Sequence, residues 1–508
     1  MLKKLRVIIS IIFFALITFL FLDFAALMPD SFHRLAHIQL IPALISRMAI
    51  IVLLLFVITF LFGRVYCSSI CPMGIYQDIV SWISKKAAKN KKRYKYSPAK
   101  NILRVSVLVI ALATFILGYP VLLAFIDPYS AYGRIVVSIF KPVYITGNNV
   151  LESIFTSFGN YTFYKVEVLM LSIFTFVTSL LTFLAIGFFA WKYGRTYCNT
   201  ICPVGTILGF ISKYSIFRVQ IDHSTCNGCG LCATKCKASC INSNLHTVDN
   251  SRCVDCFNCL ENCKQGALKY ALRKSSNVEK KDLKIVDTSK RNFLLTTLTT
   301  AASIPTALAQ NTLAPLTNSD KFARKNPISP PGAMSAKHLL HHCTSCHLCI
   351  SRCPSKVLKP AFLEYGIGGI MQPLMFFDKG YCNFDCVVCS TVCPNGALLP
   401  LTVAEKHLTQ VGRVVFDFEI CVVNTEGTNC GACAEHCPTQ AVTMIPYKDG
   451  LTIPHIDPEI CVGCGGCEFI CPVRPYHAIH VEGNMVHQQA KAFTVEEKTE
   501  IELDSFGF

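Results

Sequence analysis

"CNGCGLCATKC", from Cys226 to Cys236, and "CVDCFNCLENC", from Cys253 to Cys263, decide how this chain is read. Each is a C-x2-C-x2-C-x3-C run, the spacing in which three thiolates from one loop wrap a cuboidal [4Fe-4S] cluster while the fourth reaches the other cluster of a pair. The crossing assigns Cys226, Cys229, Cys232 and Cys263 to one cluster and Cys236, Cys253, Cys256 and Cys259 to a second. Lys237 and Lys264 stand where proline usually follows the fourth cysteine. Cys240 leaves open which of Cys236 and Cys240 ligates, a spare buried thiol being its plainer reading.

Outward from this pair, the C-terminal region repeats the theme four times, each run ending in Cys-Pro. The sets are Cys343, Cys346, Cys349, Cys353; Cys382, Cys386, Cys389, Cys393; Cys421, Cys430, Cys433, Cys437; and Cys461, Cys464, Cys467, Cys471. The middle two carry wider gaps, which insert loop between ligands without changing their number. Six clusters are expected, their C-terminal pairing being either adjacent or nested. "CTSCH", Cys343 to His347, also satisfies a haem-attachment spacing, but a haem there would strand Cys349 and Cys353. Zinc sites pair two C-x2-C knuckles and need no third cysteine two residues on.

Composition agrees. The chain has 508 residues, 29 of them cysteine, with 52% hydrophobic and 16% charged residues. So many cysteines in a chain of this length speak for metal thiolates rather than the disulfides of small secreted scaffolds. The formal charge of +16 is offset by about −2 for each oxidised cluster with its four thiolates, so no nucleic-acid partner is inferred. The basic run from Lys85 to Lys100 reads as a positive-inside loop.

Four stretches are apolar and long enough to span a bilayer: Val7 to Leu27, Ile45 to Phe62, Val105 to Ile126 and Val168 to Ala190. The loop from Arg64 to Lys100 carries nine Lys and Arg against three from Asp127 to Lys165, which puts the N-terminus and the first ferredoxin module inside. From Ser289 to Gln310, "SKRNFLLTTLTTAASIPTALAQ" is similar to a twin-arginine export signal with Lys290 for the first arginine. Export of the region beyond it is expected, against the alternative of a linker helix on the membrane surface.

The membrane half repeats itself: "GRVYCSSICPMG" at Gly63 to Gly74 and "GRTYCNTICPVG" at Gly194 to Gly205. Cysteines four apart share a helical face, so Cys67, Cys71, Cys198 and Cys202 make a candidate seventh metal site around a local pseudo-twofold axis. A thiol-exchange pair or structural cysteines are the alternatives. All 14 histidines lie outside the apolar spans, which excludes a bis-histidine haem in the membrane. Electrons would cross on a diffusing quinone or through the paired cysteines. Asp23, with His33 and His37, is a candidate proton-handling group for quinol oxidation, although an interfacial carboxylate is the simpler account of Asp23.

The paired G-R-x-Y-C-x-x-I-C-P-x-G loops and the following ferredoxin module resemble the NapH-type membrane quinol dehydrogenase component over about Met1 to Lys274. From about Lys290, the twin-arginine-like start, "SPPGA" at Ser329 to Ala333 and the four runs resemble the NapG-type exported polyferredoxin. The resemblance implies a fusion of the two that passes electrons from menaquinol to a periplasmic reductase. Lys290 and the missing Cys-Pro of the first module depart from the pattern, and no S-G-A-T-like flavin attachment site occurs.

The expected fold is a multidomain membrane protein, a four-helix transmembrane bundle plus α+β bacterial ferredoxin-like modules. Its expected parts are residues 1–215 (membrane domain), 216–275 (two-cluster ferredoxin), 276–330 (twin-arginine-like or fifth hydrophobic segment and linker) and 331–508 (four-cluster polyferredoxin). The expected setting is a bacterial inner membrane with its lipid and quinone pool. The expected partner is a terminal reductase or small redox carrier. An assembly factor reducing a metalloenzyme and a carrier fed by cytosolic ferredoxin are the alternative roles.

Overall fold

The computed structural model describes residues 1–25, 27–87, 94–168, 172–273 and 324–492. Most of the twin-arginine-like segment and linker lies outside the described residues. Helix α1 (Leu2–Leu22) has 21 residues, about 30 Å at 1.5 Å per residue, and serves as a ruler for the whole molecule. Lys3 at its start is ion-paired with Glu261 of the first cysteine-rich module. At its other end Ser351 donates to the Phe21 carbonyl and Arg352 pairs with Asp23. The two cluster-bearing regions therefore dock at opposite ends of one membrane-length helix.

Apolar helices form in all four expected stretches, but only two reach crossing length. Among the described residues, α1 and Ile173–Tyr193 are long and apolar enough to cross a membrane. Helix α2 (Ala49–Phe62) has 14 residues, because left-handed Arg47 (φ 58°) separates it from the turn ending at Ile45. Helix α3 (Pro72–Ala87) and helix α4 (Asn101–Ile116) follow. The stretch expected to run from Val105 to Ile126 breaks after Ile116, where Gly118 (φ 85°) ends the helix and Pro120 restarts the chain as a short turn, Val121–Ile126.

Two helices and the π-helical turn between them lie outside the stretches that hydropathy marks. Asp127 caps helix α5 (Pro128–Ile135), with proline at the first turn. A π-helical turn, Val136–Phe140, leads into helix α6 (Lys141–Ser157). Helix α7 is Ile173–Tyr193 and helix α8 is Pro203–Ser212. Helices α1, α2 and α7 leave rows of large apolar side chains exposed, among them Ile8, Ile11, Ile12, Ile50, Leu53, Leu54, Leu181 and Leu184. Contiguous apolar surface of this kind marks a membrane or interaction face.

The first and last cysteine-rich modules are framed by strands outside their cysteine runs. Phe217–Ile221 pairs antiparallel with Leu268–Leu272, closing around Cys226 to Cys263. Thr409–Phe416 pairs with Ile479–Gln489 around Cys421 to Cys471, with a register shift between Gly483 and Gln488. Inside that frame Val442–Pro446 pairs with Thr452–Ile456, and Leu358–Pro360 pairs with Pro373–Met375 in the module between. The small strand frames and short helices are the expected α+β ferredoxin-like pattern.

Candidate metal centres

Four of the six runs keep the x2-x2 spacing, and in all four the second and fourth residues after the first cysteine are left-handed. These are Gly228 and Gly230, Asp255 and Phe257, Ser345 and His347, and Gly463 and Gly465, with φ between 47° and 81°. Alternating left-handed residues turn successive backbone N–H groups inward and form a nest for an anionic group, as iron-sulfur sites require. Non-glycine residues there cost of order 1 kcal/mol each, so four of them holding this shape speak for a bound group. The cavities therefore fit [4Fe-4S] clusters, which when bound supply one-electron redox chemistry.

The ligand sets follow the crossing. Cys226, Cys229, Cys232 and Cys263 share one cavity. Cys236, Cys253, Cys256 and Cys259 line a second, together with Cys240, whose Sγ lies 3.5 Å from that of Cys236. In the C-terminal region the pairing is adjacent. Cys343, Cys346 and Cys349 share a cavity with Cys393, and Cys421, Cys430 and Cys433 share one with Cys471.

The remaining two sets are recognisable from mutual repulsion. Burial, then Cys382, Cys353 and Cys386, push the Cys389 thiol well up. Burial together with Cys437 and Cys461 pushes Cys464 up to about 12. Thiolates gathered this way need positive charge among them, which cluster iron supplies. In the haem-like "CTSCH", the buried His347 ring contacts the Met371 carbonyl at 3.0 Å, and its two cysteines belong to the third cavity.

The repeated loops bring Cys67, Cys71, Cys198 and Cys202 together in the helix core, each about 4% exposed. The repeat's other fixed residues explain themselves. Gly63 (φ 77°) and Gly194 (φ 79°) end α2 and α7 in a left-handed bend. A Cβ on Gly74 would lie 2.2 Å from the Cys67 carbonyl, and one on Gly205 2.1 Å from that of Cys198, so only glycine lets each following helix close on its loop.

The two arginines reach across to the other copy. Arg64 donates to the Gly205 carbonyl (2.8 Å) and Asn199 (2.7 Å), and Arg195 donates to the Cys67 carbonyl (2.6 Å). Both are fully buried. Gln77 Nε2 donates to Cys198 Sγ at 3.1 Å, and the Gly205 N–H to Cys202 Sγ at 3.3 Å.

The same arginines tie this site to the second cluster cavity. Arg64 Nε donates to the Cys253 carbonyl at 3.0 Å, and the Arg195 N–H to that of Lys237 at 2.9 Å. Asp78 is the shared anion, contacting Arg195 (2.8 Å), Arg6 (2.9 Å) and Lys237 (3.2 Å). Burial alone would raise its carboxyl, but Arg195, Lys237 and Arg6 outweigh it and hold it well below the usual range.

Asp23 accepts from the Leu27 and Met28 N–H groups and pairs with Arg352. It lines a cavity of about 450 Å³ with Lys141, Tyr164 and Cys353, and neither His33 nor His37 is among the lining residues. Sequence reasoning missed Lys141 and Tyr164, which carry no spacing signal.

Comparison with known proteins points to iron-sulfur domains in both halves of the chain. The family described as "4Fe-4S binding domain" matches residues 46–91 and 174–221, segments whose only cysteines are the two pairs of the repeated loops. A family described as "4Fe-4S dicluster domain" matches 428–474, within the last cluster pair. Another of that description matches 249–357, a span that cuts across the pairs the structure makes. The fold and centres define an iron-sulfur electron-transfer protein.

Ferredoxin-type protein NapF of Escherichia coli K12 is 30% identical over 159 residues, 31% of this chain and 88% of NapF. Methylamine utilization ferredoxin-type protein MauM of Methylorubrum extorquens is 30% identical over 188 residues, 36% of this chain and 84% of MauM. Ferredoxin-type protein NapG of Escherichia coli K12 is 28% identical over 152 residues, 28% of this chain and 65% of NapG. The chain belongs to this family of ferredoxin-type proteins. No solved structure matches it.

Proposed function

We propose that the chain is a fusion of NapH-type and NapG-type components that spans the inner membrane four times and relays electrons from the quinol pool to a periplasmic terminal reductase. The first ferredoxin module lies in the cytoplasm and the C-terminal one in the periplasm. Cys67, Cys71, Cys198 and Cys202 hold a seventh cluster. In support, the two cluster regions dock at opposite ends of α1, and α2 and α4 bring the apolar helices to four.

The observation that carries the quinol reading is the 450 Å³ cavity at the Asp23 end of α1. It is not a cluster cavity, since Cys353 is its one cysteine among the described residues. Apolar Val137, Ile145 and Leu358 suit a lipid-soluble ring, and Lys141, Tyr164 and Asp23 offer polar contacts to its oxygens. A quinol oxidised there gives up two electrons, one at a time, beside the Cys353 ligand set, and two protons to polar groups of the wall.

Filling the cavity tests this. Ile145→Trp is expected to slow reduction of the clusters by a short-chain menaquinol at least tenfold, while reduction by dithionite is unchanged. Equal quinol rates in the variant and the parent protein would overturn the site.

A further inference from the structure

A chain of bonds and hydrogen bonds runs from the second cluster cavity through the paired cysteines to the third. On one side, Arg64 and Arg195 connect the repeated loops to the Cys253 and Lys237 carbonyls of the second cluster cavity. On the other, Tyr197, next to Cys198, donates its hydroxyl to the Ile126 carbonyl at 2.6 Å. Ile126 precedes Asp127, whose Oδ2 lies 2.7 Å from Ser130 Oγ, and that hydroxyl lies 2.8 Å from Thr344 Oγ1.

Thr344 follows Cys343 directly and also accepts from Asn395, two residues past Cys393. Both cysteines line the third cluster cavity. Gly133 allows the close approach, because a Cβ there would lie 2.4 Å from the Cys346 carbonyl. Asp127, Ser130 and Thr344 are each at most 1% exposed. Elsewhere in the C-terminal region the Cys382 N–H donates to the Cys464 carbonyl at 2.9 Å, joining the ligand sets of two further centres to each other. At the opposite extreme Cys229 is solvent-exposed, a port for a soluble carrier.

We infer that the protein conducts single electrons from one end to the other through its own structure, with Tyr197, Asp127, Ser130 and Thr344 coupling the paired cysteines to the third centre. The partner this implies at the exposed Cys229 end is a soluble one-electron carrier, such as a ferredoxin or flavoprotein. Each electron leaves that carrier, which is oxidised by one electron, passes along the chain and reduces the terminal reductase at the far end, so no proton or bond is exchanged in between. A quinone is not needed for this passage. The inference rests on the membrane-spanning, seven-centre reading but not on the quinol cavity.

The test uses the full-length protein in quinone-free liposomes, with trapped ferricyanide, external dithionite and an ionophore to release charge. The parent protein is expected to bleach the trapped ferricyanide at least tenfold faster than protein-free liposomes. Cys198→Ser is expected to abolish the gain and to remove one centre from the electron paramagnetic resonance spectrum. Tyr197→Phe is expected to keep every centre and all iron while slowing bleaching several-fold.

If the parent protein carries its full iron and conducts no faster than empty liposomes, the inference falls alone. Tyr197→Phe conducting at the parental rate would overturn the assigned bridge. If Cys198→Ser loses no iron and no signal, the seven-centre reading fails with it.

Discussion

The ferredoxin-type cysteine runs and the paired cysteines of the repeated loops are built in opposite ways. A run with x2-x2 spacing offers three cysteines from one short loop already shaped by its left-handed residues, with a single cysteine of its partner run beside them. Each copy of the repeated loop supplies only two, and its brace comes from the other copy, through Arg64 in one direction and Arg195 in the other. The first construction is locally self-sufficient. The second exists only when both copies, the ferredoxin module and α1 are docked, so damage to any brace should be felt by all of them.

The comparison breaks most readily at Asp78, where Arg6, Arg195 and Lys237 meet. Asp78→Asn leaves buried cations without their partner and should cost about 3 kcal/mol or more, read as a lower guanidinium midpoint for loss of cluster absorbance. Because the carboxyl is held below its ordinary 3.8, this stabilisation is complete above that pH and is lost as the pH falls through the depressed folded value. An unchanged midpoint would contradict the shared-anion role.

Arg64→Ala should destabilise by about 2 kcal/mol through unpaired carbonyls, and Arg195→Ala by about 3 kcal/mol or more, because it also takes a partner from the buried Asp78. The double variant should cost less than the sum, because the two arginines brace one site. Strictly additive losses would mean that the braces are independent.

Gly74→Ala or Gly205→Ala should cost a comparable amount, about the 1–3 kcal/mol of overpacking, as a methyl is forced against a loop carbonyl. The ferredoxin side supplies the contrast. Ser345→Gly exchanges left-handed strain for a freer unfolded chain and should shift stability by less than about 1 kcal/mol. A larger Ser345 effect than Gly74 effect, in the same denaturation assay, would reverse the account of which construction is the more fragile.

What the sequence reveals follows the same division. The ferredoxin runs are legible because three ligands and their turn geometry are consecutive, and the first module's crossing needs no more than that. The C-terminal pairing is not, because it depends on which loops the strands bring together, and there the gap between Cys421 and Cys430 is uninformative. The repeat is legible as a repeat, but the crossing arginines are not, since Arg64 and its acceptor Gly205 lie 141 residues apart.

Hydropathy finds the apolar helices yet misplaces their ends at Arg47 and Gly118, where single left-handed residues override an apolar composition. It also passes over α6, which begins with Lys141 and carries too many polar residues to register. Asp23 was visible as an acid at a helix end. Its partner Arg352 was not, being 329 residues away.

Iron content tests the central claim most directly, because it counts both constructions at once. The anaerobically purified parent protein should hold about 28 iron atoms, four for each of seven cuboidal clusters. Replacing Cys67, Cys71, Cys198 and Cys202 together by serine should leave about 24, with the ferredoxin-type signals intact. An unchanged count would show that the paired cysteines hold no cluster, and a parent value near eight would contradict the reading of the C-terminal runs as well.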